Sequence, residues 1–133
     1  MLKAAVLGLG SRGRNYGSHL AKTDGVKIVS VCDKYQAKID NVKAKWGVPE
    51  NACFTDEKDF YAQGKVADVM VIATQDRDHY GHAMKALDLG YNLLLEKPVS
   101  PDIAECLAIE KKAREKGLKV LVCHVLRYSN YYK

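Results

Sequence analysis

Lys97 stands between Glu96 and Pro98, directly after Leu93, Leu94 and Leu95. A lysine beside a carboxylate, at the end of an apolar strand, can do proton chemistry. Partial burial lowers an ammonium's pKa and a neighbouring carboxylate raises it, so its proton can be poised for transfer at a substrate oxygen. Pro98 stiffens the turn that follows and can fix the lysine's direction. The same three residues also describe a surface ion pair at a strand exit. On pattern alone the two readings stand level.

A second group lies near the start. GLGSRG, residues 8–13, matches G-x-G-x-x-G and falls between an apolar strand and a helix. That placement is what a phosphate cradle requires. Gly8 permits the tight turn, Gly10 lets a pyrophosphate approach the backbone, and Gly13 lets the helix pack close to the strand. Ser11 and Arg12 complete the loop, and Arg12 adds a cation. The helix start then offers unpaired N–H groups and a partial positive charge to a diphosphate. Asp33 follows twenty residues beyond Gly13, where an acid accepts hydrogen bonds from an adenosine ribose diol. A carboxylate there repels a 2′-phosphate, which favours NAD over NADP. Lys34 works the other way, because it could bind such a phosphate. The competing role for Asp33 is a plain helix cap.

A third group is ATQDRDHYGH, residues 73–82. Thr74, Gln75 and His79 are candidates to line the nicotinamide half of a dinucleotide, and Asp76 is a candidate helix cap. His79 and His82, with Asp76 and Asp78, have ligand-type spacing. No further segment supplies a partner, so helix-surface histidines and no metal are the expectation.

These groups need a scaffold that brings them to one edge. Apolar runs of strand length alternate with segments of helical period. Strands are expected over 2–10, 26–33, 52–54, 67–74, 92–96 and 118–125. Tyr16, His19 and Leu20 mark one helix face; Tyr35, Ile39, Val42 and Trp46 mark another, closed by Gly47 and Pro49. Thr55 can cap a short helix to about Tyr61. Tyr80, Ala83, Met84 and Leu87 mark the next helix, and Ser100-Pro101 opens the last one, which reaches Lys116-Gly117. This alternation predicts an α/β fold: a doubly wound parallel sheet of the Rossmann type, six strands in the order 3-2-1-4-5-6. Ligands of such sheets lie beyond the carboxyl ends of the strands, which is where all three groups fall.

Composition narrows the function class. The chain has 133 residues, 47% hydrophobic and 28% charged, as expected of one globular domain. No apolar stretch approaches a membrane span, and the apolar N-terminus runs into the glycine loop rather than a cleavage site. A cytoplasmic protein is expected. The net charge of +5 is spread over presumptive helix faces, without a basic run interleaved with aromatics, so nucleic acid is not expected as a partner. Cys32, Cys53, Cys106 and Cys123 form no C-x-x-C pair and are expected as reduced thiols.

Taken together, GLGSRG, the Cys32-Asp33 pair, Ala73-Thr74 with His79, and Glu96-Lys97-Pro98 resemble the Gfo/Idh/MocA family of NAD(P)-dependent oxidoreductases. The resemblance covers essentially the whole chain, with Gln75 and Asn130 standing where the family often has proline. It implies hydride transfer between a nicotinamide cofactor, NAD with NADP open, and a sugar, polyol or related hydroxy compound. It implies that Lys97 is catalytic, touching cofactor ribose and substrate, with Glu96 in support. Thr74 and His79 take the family's cofactor positions, and Arg127, in HVLRYSNYY, is a weaker candidate near the nicotinamide. The family carries a second, substrate-binding domain, and the chain is expected to be the N-terminal dinucleotide-binding domain over residues 1–133, itself inactive in turnover. Two other functions remain compatible: a glycoside hydrolase that uses NAD transiently, and a non-catalytic NAD-sensing module. A homo-oligomer is left open.

Overall fold

The computed structural model describes residues 2–73, 79–96 and 103–123; for residues 11, 12, 79, 96 and 121–123 it describes the backbone. Six strands form one parallel sheet in the order β3-β2-β1-β4-β5-β6, the order expected above. They are β1 (Leu2–Leu7), β2 (Val26–Cys32), β3 (Cys53–Phe54), β4 (Val69–Ile72), β5 (Asn92–Glu96) and β6 (Val120–Cys123). The helices between them are α1 (Ser11–Lys22), α2 (Gln36–Trp46), α3 (Glu57–Ala62), α4 (His79–Asp88) and α5 (Ile103–Lys116), with a 3₁₀ turn at Glu50–Ala52 before β3.

The inner stretches of the central strands are mostly apolar because both sheet faces are covered. On one face Ala5, Leu7, Met70, Ile72, Leu93 and Leu95 pack with Phe60 of α3, Ala83 and Leu87 of α4, and Ile109 and Ala113 of α5. On the other, Val6, Ile28, Val31 and Val71 pack with Ile39, Val42 and Trp46 of α2, and Tyr16 and Leu20 of α1 join them. Successive residues of β1 and β4 thus serve opposite cores, as the period of a strand dictates.

β2 departs from strict alternation. Ala4 pairs with Ile28 but Ala5 pairs with Ser30, a register shift between the two strands. The displaced Ser30 is fully buried. Its hydroxyl donates to the Ala52 carbonyl at 3.0 Å and accepts from Gln63 Nε2 at 3.0 Å, so its burial leaves no bare polar atom.

Three helix assignments needed correction. His19, expected on the inner face of α1, is exposed; the face that packs inward carries Gly13 and Gly17. Tyr35 is not part of the buried stripe of α2, being 54% exposed while Ile39, Val42 and Trp46 are buried. Asp56, not Thr55, caps α3: its side chain accepts from the Lys58 N–H at 2.8 Å. The Ser100-Pro101 cap and the Asp76 cap lie outside the described residues.

Gly17 explains how α1 meets α2. A Cβ there would lie 2.2 Å from the Trp46 ring, so the indole occupies the space a side chain would need. Gly81, on the exposed side of α4, has nothing within 4 Å of the same point. Gly17→Ala is therefore expected to destabilise the fold by about 1–3 kcal/mol through overpacking. Gly81→Ala is expected to stabilise it by about 0.5–1 kcal/mol through the unfolded chain's lost freedom. Urea titration read by the fluorescence of the single tryptophan checks both, and equal effects of the two substitutions would refute this packing.

Candidate functional site

The sheet's carboxyl edge carries a cleft of about 870 Å³, within the roughly 300–1,000 Å³ usual for small-molecule sites. It runs over the tips of β1, β2 and β3 and is walled by Ala73 and His82 on the β4–α4 side. Its floor begins at the β1–α1 turn. Gly8 has φ 95°, a left-handed conformation that a Cβ would strain. Its N–H donates to the Cys32 carbonyl at 2.8 Å, which keeps the β1 and β2 tips side by side. Gly10 is the residue before α1, with extended backbone and no side-chain cap. A Cβ on Gly10 would meet nothing within 4 Å, so its backbone is open to the cleft.

The first helical hydrogen bond of α1 runs from Arg14 N–H to the Gly10 carbonyl at 2.9 Å. The N–H groups of residues 11–13 consequently have no acceptor inside the helix. No acidic side chain stands in the first turn to offset their positive end. Gly13 is the packing glycine: a Cβ there would come to 1.9 Å from the Gly8 carbonyl oxygen. Gly8 and Gly13 thus have the turn and packing duties expected of them, and Gly10 leaves its backbone uncovered.

Asp33 follows β2 and lines the same cleft. Its Oδ2 accepts from the Leu9 N–H at 2.8 Å and its Oδ1 from the Tyr35 N–H at 2.9 Å. The carboxylate is held by main chain on both sides, and each oxygen keeps a lone pair for a further donor. Asp33 is not the residue that caps α2; Tyr35 takes that position with no side-chain cap. Lys34 and Lys38 also line the cleft, their ammonium groups 5.4 and 5.0 Å from the centre of the Tyr35 ring.

The wall beyond β3 was not foreseen from sequence. Thr55, Asp56 and Glu57 line it because β3 pairs with β2 through Val31–Cys53 and Cys32–Phe54. The rule that ligands sit at strand ends could have pointed to them. His82 was expected on a helix surface; it is buried at 6% exposure. Its Nδ1 lies 3.1 Å from Tyr61 Oη, its Nε2 lies 3.4 Å from Glu57 Oε2, and its ring stacks on Tyr61. Among the described residues no group of three or more histidines, cysteines or acids is placed to hold a metal.

The other sequence candidates are placed in part. Ser11 and Arg12 sit in the first turn of α1, His79 begins α4, and Glu96 ends β5, at the same carboxyl edge of the sheet. Thr74, Gln75, Lys97 and Arg127 lie outside the described residues. Among the described residues, no helix is long and apolar enough to cross a membrane.

A doubly wound parallel sheet, a glycine turn opening onto a bare helix start, and an acid at the β2 tip define a dinucleotide-binding fold. The sequence model of the Gfo/Idh/MocA oxidoreductases, an oxidoreductase family with an NAD-binding Rossmann fold, matches residues 2–124, and the chain belongs to that family. Among curated proteins it is 28% identical over 128 residues to a 4-carboxy-2-hydroxymuconate-6-semialdehyde dehydrogenase from a Sphingobium species, covering 96% of this chain and 40% of that one. It is 29% identical over 134 residues to an inositol 2-dehydrogenase from Rhodococcus jostii, covering 99% and 36% respectively. Among solved structures it superposes on scyllo-inositol dehydrogenase from Lactobacillus casei, bound to NAD(H) and scyllo-inositol. That match has a TM-score of 0.88 and 25% identity, over 99% of this chain and 38% of that one. The chain thus spans well under half the length of these proteins.

The residues beneath the cleft shape its pH response. Burial first, then the nearby Glu57 and Asp33 carboxylates, push the Cys32 thiol up from an ordinary 9.0 to about 12. Burial, followed by Glu57, also raises the Tyr61 phenol. As pH rises, an unfolded thiol releases its proton near 9 while the folded one keeps it. The stabilisation is complete below about pH 9 and is lost between about 9 and 12. The urea midpoint is expected to fall across that window, and to fall less steeply in Cys32→Ala. Identical slopes for the two proteins would contradict the burial of this thiol.

Proposed function

We propose that the chain is the dinucleotide-binding domain of a dehydrogenase that acts on a polyol, sugar or related hydroxy compound. The reading rests most on one observation: the Asp33 carboxylate, hydrogen-bonded to Leu9 N–H inside the glycine turn, faces the same cleft as Gly8 and Gly10. This is the arrangement in which one ligand meets a diphosphate cradle and a ribose acceptor together.

The residues fit NAD. The first-turn N–H groups of α1 receive the diphosphate, with Gly10 leaving room for it and Arg12 adjacent in sequence. Asp33 accepts from the adenosine ribose diol, and its charge disfavours a 2′-phosphate. Thr74, Gln75, His79 and Arg127 are assigned to the nicotinamide half, on the resemblance already described. The bound nicotinamide supplies hydride acceptance and donation. Lys97 holds and moves the proton of the reacting hydroxyl, and Glu96 sets the lysine's charge state. The polyol class is supported by the inositol dehydrogenases among the relatives. Because those proteins are much longer than this chain, substrate choice and turnover are assigned to a protein of their length.

Two measurements test this. Calorimetric titration of the 133-residue chain is expected to show NAD bound more tightly than NADP. Asp33→Ala is expected to weaken NAD by roughly 10- to 100-fold, the worth of hydrogen bonds to a charged group, and to erase the preference. Equal binding of both cofactors by the unaltered chain would refute the role of Asp33. In a protein of the relatives' full length, Lys97→Ala is expected to leave NAD affinity within about threefold while turnover falls by 10²-fold or more. Unchanged turnover would remove Lys97 from the mechanism.

A further inference from the structure

Tyr35 sits oddly for a residue at a helix start. That position favours Ser, Thr, Asp or Asn, whose side chains accept from the helix N–H groups. Tyr35 makes no such cap, and at this helix start only its own N–H is met by the Asp33 carboxylate. Nor does the ring serve the core: it is 54% exposed, while Ile39, Val42 and Trp46 on the same helix are buried. It lines the cleft next to Asp33. Lys34 and Lys38 hold their ammonium groups 5.4 and 5.0 Å from its centre, contacts that orient an otherwise free ring.

The sheet order says what should lie there. The tips run β3, β2, β1, at roughly 4.8 Å per strand. A dinucleotide with its diphosphate over β1 and its ribose on Asp33 at β2 must carry its adenine outward, toward β3 and the start of α2. We propose that Tyr35 is the platform on which the adenine ring stacks, its ring covered by Lys34 and Lys38 in the free chain. The proposal rests on the NAD reading of the cleft. Both lysines are flexible stems that swing aside for a flat base, and their charges favour the anionic cofactor. A tyrosine suits this task because it offers a rigid, flat, amphipathic surface at small cost in side-chain entropy.

The experiment uses adenosine diphosphate ribose, which carries the base, ribose and diphosphate without the nicotinamide. It is titrated calorimetrically into the 133-residue chain and into Tyr35→Phe and Tyr35→Ala. Since Tyr35 is exposed and caps nothing, both variants are expected to fold, as circular dichroism would record. Tyr35→Phe is expected to bind within about twofold of the unaltered chain, and Tyr35→Ala about tenfold more weakly, as for loss of one base–aromatic stack. The adenine H2 and H8 proton resonances are expected to move upfield on binding the unaltered chain and Tyr35→Phe, and not on binding Tyr35→Ala. Binding by Tyr35→Ala equal to that of the unaltered chain overturns the platform while leaving the cleft assignment standing. Equal weakening in both variants also overturns it, because the hydroxyl rather than the ring face would then be the contact. Absence of binding to the unaltered chain overturns the cleft assignment, and this inference with it.

Discussion

The close approach of α1 to β1 is the constraint from which the rest of the site follows. A Cβ on Gly13 would reach 1.9 Å from the Gly8 carbonyl, so only a residue without one lets the helix start settle on the strand end. With the helix seated there, its unpaired N–H groups open directly onto the sheet's edge. Gly8 completes the turn in a left-handed conformation, and its N–H ties the turn to β2 through the Cys32 carbonyl.

Asp33 extends that arrangement sideways. Its carboxylate bridges main chain from the β1–α1 turn and the start of α2, so one side chain fixes two segments and presents its remaining lone pairs outward. The structural role leaves room for the recognition role proposed for Asp33, because each carboxylate oxygen has capacity for more than one donor. A substitution there removes the acceptor shared by the Leu9 and Tyr35 N–H groups. The stacked rings of buried His82 and partly buried Tyr61 join α3 to α4 at the side of the cleft.

Among the sequence expectations that rest on short spans, the Thr55 cap is displaced by one residue to Asp56 and the rest of those described match the structure. The glycine turn, the acid after β2 and the parallel strand order each depend on residues within one strand–turn–helix unit or on the handedness of successive crossovers. Those that rest on helix periodicity alone fared less well. The buried stripe of α2 begins at Ile39, four residues after Tyr35, because a 3.6-residue period does not say where a stripe stops. His82 was placed on a surface because a histidine at i, i+3 from another reads as polar. Its burial depends on Tyr61 and Glu57, some twenty residues earlier in the chain.

By itself the sequence determined the alternation of strands and helices, the glycine turn and the acid that faces it, since these follow from local sterics and from apolar runs that can be buried only in a covered sheet. The tertiary structure alone decided that Trp46 fills the notch at Gly17, that Ser30 is turned inward by a register shift, and that Thr55, Asp56, Glu57 and His82 line the same cleft as Asp33. These are meetings between segments distant along the chain. They depend on strand register and helix seating, which no residue type encodes on its own.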